Sequence, residues 1–225
     1  VIRLVLFDID GTLIRSGGAG VKAFGETFAT EFGLPEATRN VIFAGRTDVS
    51  LVRQVFRLNN IAETPENFAR FFKHYPVYLE QNLHKLDGGP CEGVLEFIEA
   101  LQTHESKPLL GLLTGNISRG AELKLRRYNL WHHFKFGGYA DDHEDRNCIA
   151  GVAHKRGNEI LGRQLAGEEI IVIGDTAHDV ECGKSIGAKV LAVATGGVPL
   201  ETLASHTPTW AVPDLRAFDL ATALR

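Results

Sequence analysis

Asp8 and Asp10 stand two residues apart where the apolar run Leu4-Val5-Leu6-Phe7 ends, and Gly11 and Thr12 follow them. Paired carboxylates can act as nucleophile, as proton donor and acceptor, or as oxygen ligands to a hard cation. Three further polar groups follow apolar runs in the same way. Thr114-Gly115-Asn116 follows Leu109–Leu113, Gly174-Asp175 and Asp179 follow Ile170–Ile173, and Asp141-Asp142-His143-Glu144-Asp145-Arg146 follows Phe134–Tyr139. Taken singly, each has a structural explanation. Asp10-Gly11 is a turn signal; Thr114, Asn116 or Ser118 could cap a helix; Asp175 and Asp179 suit a helix N-cap and first turn. Four such groups at four strand ends point instead to chemistry. Asp8, Asp10 and Asp175 could present oxygens to magnesium, which favours a few carboxylates plus water and phosphate oxygens. Thr114, with backbone amides of Gly115 and Asn116, could bind phosphoryl oxygens, and Arg146 could neutralise their charge. One carboxylate could attack phosphorus while the other protonates the leaving oxygen.

The elements that must position these residues can be read from the apolar pattern. Strands are predicted over Ile2–Phe7, Leu109–Leu113, Phe134–Tyr139, Ile170–Ile173 and Val190–Val193. Helices are predicted over about Ser118–Tyr128, Ile149–Leu161 and His178–Ile186. The alternation predicts an α/β fold with a parallel sheet, whose right-handed crossovers place the strand C-termini along one edge. Ligands of such sheets bind at that edge. Between Leu13 and about His84 the alternation stops, and helices are predicted over Val21–Phe32, Val49–Leu58 and Pro65–Leu83. Phe68, Phe71, Phe72 and Tyr75 follow helical spacing and read as a buried aromatic face. The expected organisation is a core of residues 1–15 and 87–225 with a helical insert of residues 16–86. Gly17-Gly18-Ala19-Gly20 at its start is a hinge candidate, and Leu86-Asp87-Gly88-Gly89-Pro90 at its end a return linker.

Composition narrows the function classes. A chain of 225 residues can bury a sizeable core. Its net charge of -4 carries no footprint for nucleic acid. No run approaches a membrane span or a signal-peptide core, so no membrane partner and a cytoplasmic location are expected. Cys91, Cys148 and Cys182 are too scattered for a disulfide framework or a zinc–thiolate site. Gly183-Lys184-Ser185 ends like a phosphate-binding P-loop, but His178 stands where the first glycine is required. The acidic run 141–145 reads as a solvated loop, and His132-His133 as an exposed helix end.

The motifs Asp8-Ile9-Asp10-Gly11-Thr12, Thr114-Gly115-Asn116 and Gly174-Asp175 with Asp179 together resemble the haloacid dehalogenase superfamily of hydrolases, in the branch that includes phosphoglycolate phosphatases. The resemblance covers nearly the whole chain. It implies a Rossmann-like core with the insert as a helical cap. It also implies a Mg2+-dependent phosphomonoesterase acting through an aspartyl-phosphate on a small phosphorylated metabolite, as a monomer or homodimer. By the same resemblance Asp8 is the nucleophile and Asp10 the acid–base, with its backbone carbonyl on magnesium. Thr114 then contacts the phosphoryl group, Asp175 ligates the metal, and Asp179 acts through water or as an anchor. The family's usual lysine before the last motif is missing; Arg146 is the expected replacement and Lys155 the other candidate.

Gly45-Arg46-Thr47-Asp48 resembles a loop that such caps present to the active site. Arg46 could bind a substrate carboxylate, which makes phosphoglycolate the first guess, although Thr47 or Asp48 could equally be a helix N-cap. Within the family, Asp10 disfavours a dehalogenase. A phosphomutase, or a phosphonate hydrolase drawing on Lys22, is the alternative. Outside it stands a non-catalytic phospho-accepting or binding domain.

Overall fold

The computed structural model describes residues 1–224. In chain order its elements are β1 (Leu4–Phe7), β2 (Ile14–Arg15), α1 (Ala19–Phe32), α2 (Asp48–Leu58), α3 (Pro65–Lys85), β3 (Gly89–Pro90), α4 (Val94–Thr103), β4 (Leu109–Leu113), α5 (Ser118–Arg127), β5 (Gly137–Gly138), α6 (Arg146–Leu161), β6 (Ile170–Gly174), α7 (Ala177–Ser185), β7 (Lys189–Val193), α8 (Leu200–Ser205), β8 (Trp210–Val212) and α9 (Leu220–Ala223). Six strands form one parallel sheet in the order β5-β4-β1-β6-β7-β8. The fold is thus α/β with a parallel sheet, as the alternation of elements required.

Side chains on successive strand residues point to opposite faces. Val5 and Phe7 of β1 join Ile171 and Ile173 of β6 in a cluster with Val94, Phe97 and Ile98 of α4 and Ala121 and Leu125 of α5. Leu4 and Leu6 join Ile170 and Val172 in a second cluster, against Ile149, Ala150 and Ala153 of α6. Both faces of β1 are therefore covered, which is why it reads as an unbroken apolar run.

Three helices interrupt this pattern between β2 and β3. Those two strands pair antiparallel, Ile14 with Pro90 and Arg15 with Gly89, so the chain leaves the core and re-enters it side by side. Phe24, Phe28, Val52, Phe56, Phe71 and Tyr75 of α1, α2 and α3 form a further cluster, which extends to Ile117, Leu123 and Ala140 of the core. Phe24 and Phe71 pack as a tilted pair at 4.8 Å and Phe28 and Phe71 at 4.7 Å between ring centroids, the spacing at which aromatic pairs attract. Thr47 caps α2, accepting from the Ser50 N–H at 3.2 Å, and Thr64 caps α3.

The structure departs from the sequence reading in a few places. Pairing of β5 covers two residues rather than Phe134–Tyr139, because Phe134 turns inward onto Phe7 and closes a 3-10 turn before the strand. Asp145 caps α6, so that helix starts at Arg146 rather than Ile149. The β2–β3 ribbon, α4, α8, α9 and the half-buried edge strand β8 were not foreseen. The acidic run is not simply solvated either. Asp142 holds Arg156 through two bonds of 2.7 Å, and Glu144 holds Arg53 at 2.8 Å. No helix among the described residues is long and apolar enough to cross a membrane. Cys91 and Cys182 are buried, Cys148 is exposed, and all three are free.

Candidate active site

Strand β1 lies between β4 and β6, so the ends of all three open at one point of the sheet rim. Asp8 follows β1 directly, and its N–H donates to Ile173 O of β6 at 2.9 Å. Thr114 follows β4, and its N–H donates to Gly138 O at 3.1 Å. Asp175 follows β6. Gly11 turns the chain with φ +83°, and a Cβ there would lie 2.5 Å from Asp175 Oδ2, so only glycine fits beside that carboxylate.

Asp8, Asp175 and Asp179 converge with one carboxylate oxygen each inside a 4.8 Å group. Burial, the neighbouring Asp179 and, less strongly, Asp10 push the Asp8 carboxyl from 3.8 up to about 7, with Arg146 opposing. Burial, Asp179 and Asp8 push Asp175 up to about 9, although Thr12 Oγ1 donates to it at 3.1 Å. The cluster thus holds more negative charge than its surroundings compensate. Asp179 is fixed on three sides: it accepts from Thr176 N–H at 3.0 Å, from Thr176 Oγ1 at 2.6 Å, and from Arg146.

Arg146 enters from the first turn of α6. Its Nη2 bonds Asp179 and lies 3.5 Å from Asp8 Oδ1. Burial works against the guanidinium charge, but Asp179 and Asp8 outweigh it. Lys155, the other candidate, is 78% exposed and reaches only Glu159, at 4.0 Å. Of the two candidate cations, Arg146 is at the cluster and Lys155 is not.

Asp10 stands apart from the triad, because its side chain turns the other way. Its Oδ2 accepts from Asn116 Nδ2 at 2.8 Å and from Lys124 Nζ at 2.6 Å. Lys124 Nζ also donates to Asn116 Oδ1 at 2.6 Å. The Asn116 amide bonds Thr114 Oγ1 as well, at 2.8 Å. Asn116 therefore braces Asp10 and Thr114, rather than presenting free polar atoms to a ligand. Thr114 is fully buried in the cavity wall, and its hydroxyl accepts both bonds from Asn116.

Above the rim, a cavity of about 690 Å3 lies between the core and the helical unit. Asp8, Asp10, Thr114, Gly115, Asn116, Arg146 and Asp175 line its floor; Val21, Phe24, Phe43, Arg46, Asp48 and Leu51 line its roof. The segment before α2 rests directly on the core. Asp48 N–H donates to Gly115 O at 2.7 Å, and Asp48 Oδ2 accepts from Ile117 N–H at 2.8 Å. Thr47 Oγ1 donates to Glu144 O at 2.9 Å. Gly45 permits this approach: its φ is +70°, and a Cβ there would meet His178 at 2.4 Å. Arg46 lines the cavity but its guanidinium is held by Gln54 and by Ser50 O, both neutral acceptors. Lys22 is exposed and lies outside the cavity lining, which leaves a phosphonate-cleaving reading without its lysine.

Sequence reasoning missed Lys124. A signal was available, because Ile117, Gly120, Ala121, Lys124 and Leu125 occupy one helical stripe and all are buried. A lysine on such a stripe needs a partner inside.

The site is thus a carboxylate cluster at the strand ends of a parallel α/β core, roofed by inserted helices. The family model of haloacid dehalogenase-like hydrolases matches residues 5–193, and the chain belongs to that family. It is 27% identical over 192 residues to pyrophosphatase PpaX of Halalkalibacterium halodurans, covering 85% of this chain and 83% of that one. It is 26% identical over 203 residues to the phosphoglycolate phosphatase of Aquifex aeolicus, covering 89% of each. Among solved structures, a family IA, variant 3 hydrolase of the same superfamily from Entamoeba histolytica superposes with a TM-score of 0.76 at 19% identity, over 99% of this chain and 98% of that one.

Proposed function

We propose that this protein is a Mg2+-dependent phosphomonoesterase that turns over small phosphorylated metabolites through an aspartyl-phosphate on Asp8. The observation that carries the reading is the buried triad of Asp8, Asp175 and Asp179 beside Arg146, on the floor of a cavity of metabolite size. Surplus negative charge on oxygen donors suits a hard divalent cation. Asp8, Asp175 and the Asp10 backbone carbonyl would hold the ion, with Asp179 as an anchor behind them. When bound it supplies charge neutralisation between carboxylates and phosphate.

The protein's own residues then divide the work. One Asp8 oxygen bonds to phosphorus as the bond to the leaving oxygen breaks, and Asp10 passes its proton to that oxygen. Water next attacks phosphorus, Asp10 takes the proton, and the bond to Asp8 breaks, restoring the carboxylate and releasing phosphate. Thr114 and Arg146 hold the phosphoryl oxygens. Residues 16–86 serve as the cap: seated on the Gly115 and Glu144 loops, they keep bulk water away during attack. Such a roof suits a small ester better than a protein or a nucleic acid.

Multiple turnover of 4-nitrophenyl phosphate tests this reading, because a phospho-accepting or binding domain stops after one event. Arg146→Ala is expected to lower kcat/KM by roughly 10²–10³-fold, the usual effect of removing one charge-stabilising donor. Lys155→Ala should leave it nearly unchanged. Steady-state kinetics on folded variants that gave the reverse ranking would refute the assignment.

Arg46 is the cavity-lining cation held by neutral groups alone, so it can turn to a substrate carboxylate without breaking an ion pair. Phosphoglycolate is accordingly the first substrate to try, and Arg46→Ala should lower its kcat/KM about tenfold or more while sparing a neutral sugar phosphate. The check is a kcat/KM panel for both proteins; an unchanged ranking removes Arg46 from specificity.

A further inference from the structure

Lys124 is an ammonium only 4% exposed, placed on a helix whose other site-facing positions are apolar or small. It lies in the cavity wall but does not reach the Asp8 cluster. Its two bonds go instead to Asp10 Oδ2 and Asn116 Oδ1, each at 2.6 Å. Asn116 Nδ2 closes the triangle by donating to the same Asp10 Oδ2 at 2.8 Å. Both donors thus act on one oxygen of Asp10, and no partner is found for Oδ1 among the described residues.

The helical unit meets this triangle from above. A Cβ on Gly20 of α1 would lie 3.5 Å from Lys124 Nζ and 3.9 Å from the Tyr75 hydroxyl of α3. Asp48 bonds the backbone on both sides of Asn116, at Gly115 O and at Ile117 N–H. The loop bearing Asn116 is therefore fixed by the seated cap.

We propose that Lys124 is a positioning residue for proton transfer: together with Asn116 it clamps Asp10 Oδ2, so that Asp10 Oδ1 is the oxygen that delivers the proton to the leaving group. The inference rests on the phosphatase reading above. In the step it serves, the bond between phosphorus and the leaving oxygen breaks, the electron pair stays on that oxygen, and the Oδ1 proton neutralises it. The clamp fixes the carboxyl plane and rotamer, and orientation of this kind is worth orders of magnitude in rate. Arg146 cannot substitute, because its Nη2 is directed to Asp179 and Asp8 and its Nη1 to Gly45 O.

The test is the dependence of kcat/KM on the leaving group. An alkyl phosphate needs its leaving oxygen protonated, whereas 4-nitrophenolate leaves without help. In the full-length, Mg2+-loaded protein, Lys124→Met should lower kcat/KM for glycerol phosphate by on the order of 10²–10³-fold, the range of general acid catalysis. For 4-nitrophenyl phosphate the loss should stay under about tenfold. Lys124→Arg, which keeps the buried charge but moves the donor, should show the same preference for the aryl ester and serves if the methionine variant does not fold. Equal losses on the two esters, or no loss on either, would overturn the inference while leaving the phosphatase reading intact. A wild-type protein that turns over neither ester would bring down the phosphatase reading itself, and the inference with it.

Discussion

Asp8→Asn is expected to give a folded protein with no measurable turnover, a loss of at least about 10⁴-fold, as when a covalent nucleophile is removed elsewhere. An amide oxygen does not attack phosphorus, and the nearby carboxylates are already committed. Asp175 accepts from Thr12, and Asp179 is held by Thr176 and Arg146. Folding should not suffer. Burial and like charge raise Asp8 from 3.8 to about 7 in the folded protein, so the folded state holds the proton more tightly than the unfolded chain. Its contribution to stability is full below about pH 4 and is lost as pH rises through about 7. At pH 8 the metal-free wild type therefore carries a destabilising charge that asparagine lacks. Asp8→Asn should gain on the order of 1–3 kcal/mol there, by thermal or denaturant unfolding. A folded Asp8→Asn protein with near wild-type kcat would remove Asp8 from the chemistry.

Chelation is expected to have an effect of the same size: turnover vanishes with EDTA and returns with Mg2+. Without a cation, the triad must either hold protons or repel a phosphate dianion. Asp8 and Asp175, raised to about 7 and about 9, shed those protons as an ion binds. The apparent Mg2+ affinity should therefore rise with pH from 6 to 9, with measurable proton release. By the same sign, metal-free stability should fall over that interval, and added Mg2+ should restore more of it at pH 9 than at pH 6. Ca2+ should support turnover poorly, because it favours higher coordination and looser geometry. Full activity after exhaustive chelation, or affinity that falls with pH, would contradict the assignment.

How much of this was legible in the sequence follows from where each residue's environment comes from. Residues buried by local pattern were readable: β1 and β4 are apolar on both faces, and α3 shows its aromatic face at helical spacing. The strand-end acids Asp8, Asp10 and Asp175 were readable because a polar group directly after a buried strand has few structural reasons to be there. The two-residue strands β2 and β3 carry no periodicity, and their pairing depends on where the helical unit leaves and rejoins the core. The half-buried β8 likewise lacks the run that marks a buried strand. Arg146 could be named but not placed, since its reach depends on α6 beginning at Arg146 rather than three residues later. Lys124 was hidden among the basic residues of α5, although its place on the buried stripe was a usable signal. The contacts of Asp48 with Gly115 and Ile117 join residues 67 to 69 positions apart, and no local pattern announces them.

The most direct test of the central claim is to look for the covalent intermediate. Enzyme in excess over a rapidly cleaved phosphate ester is quenched in acid within one turnover, digested, and searched for a phosphorylated residue. The account predicts one hydroxylamine-labile acyl phosphate per active site, located on Asp8 and missing from the Asp8→Asn protein. A phosphoryl group on any other residue, or none during a turnover whose product burst shows an intermediate, would contradict it.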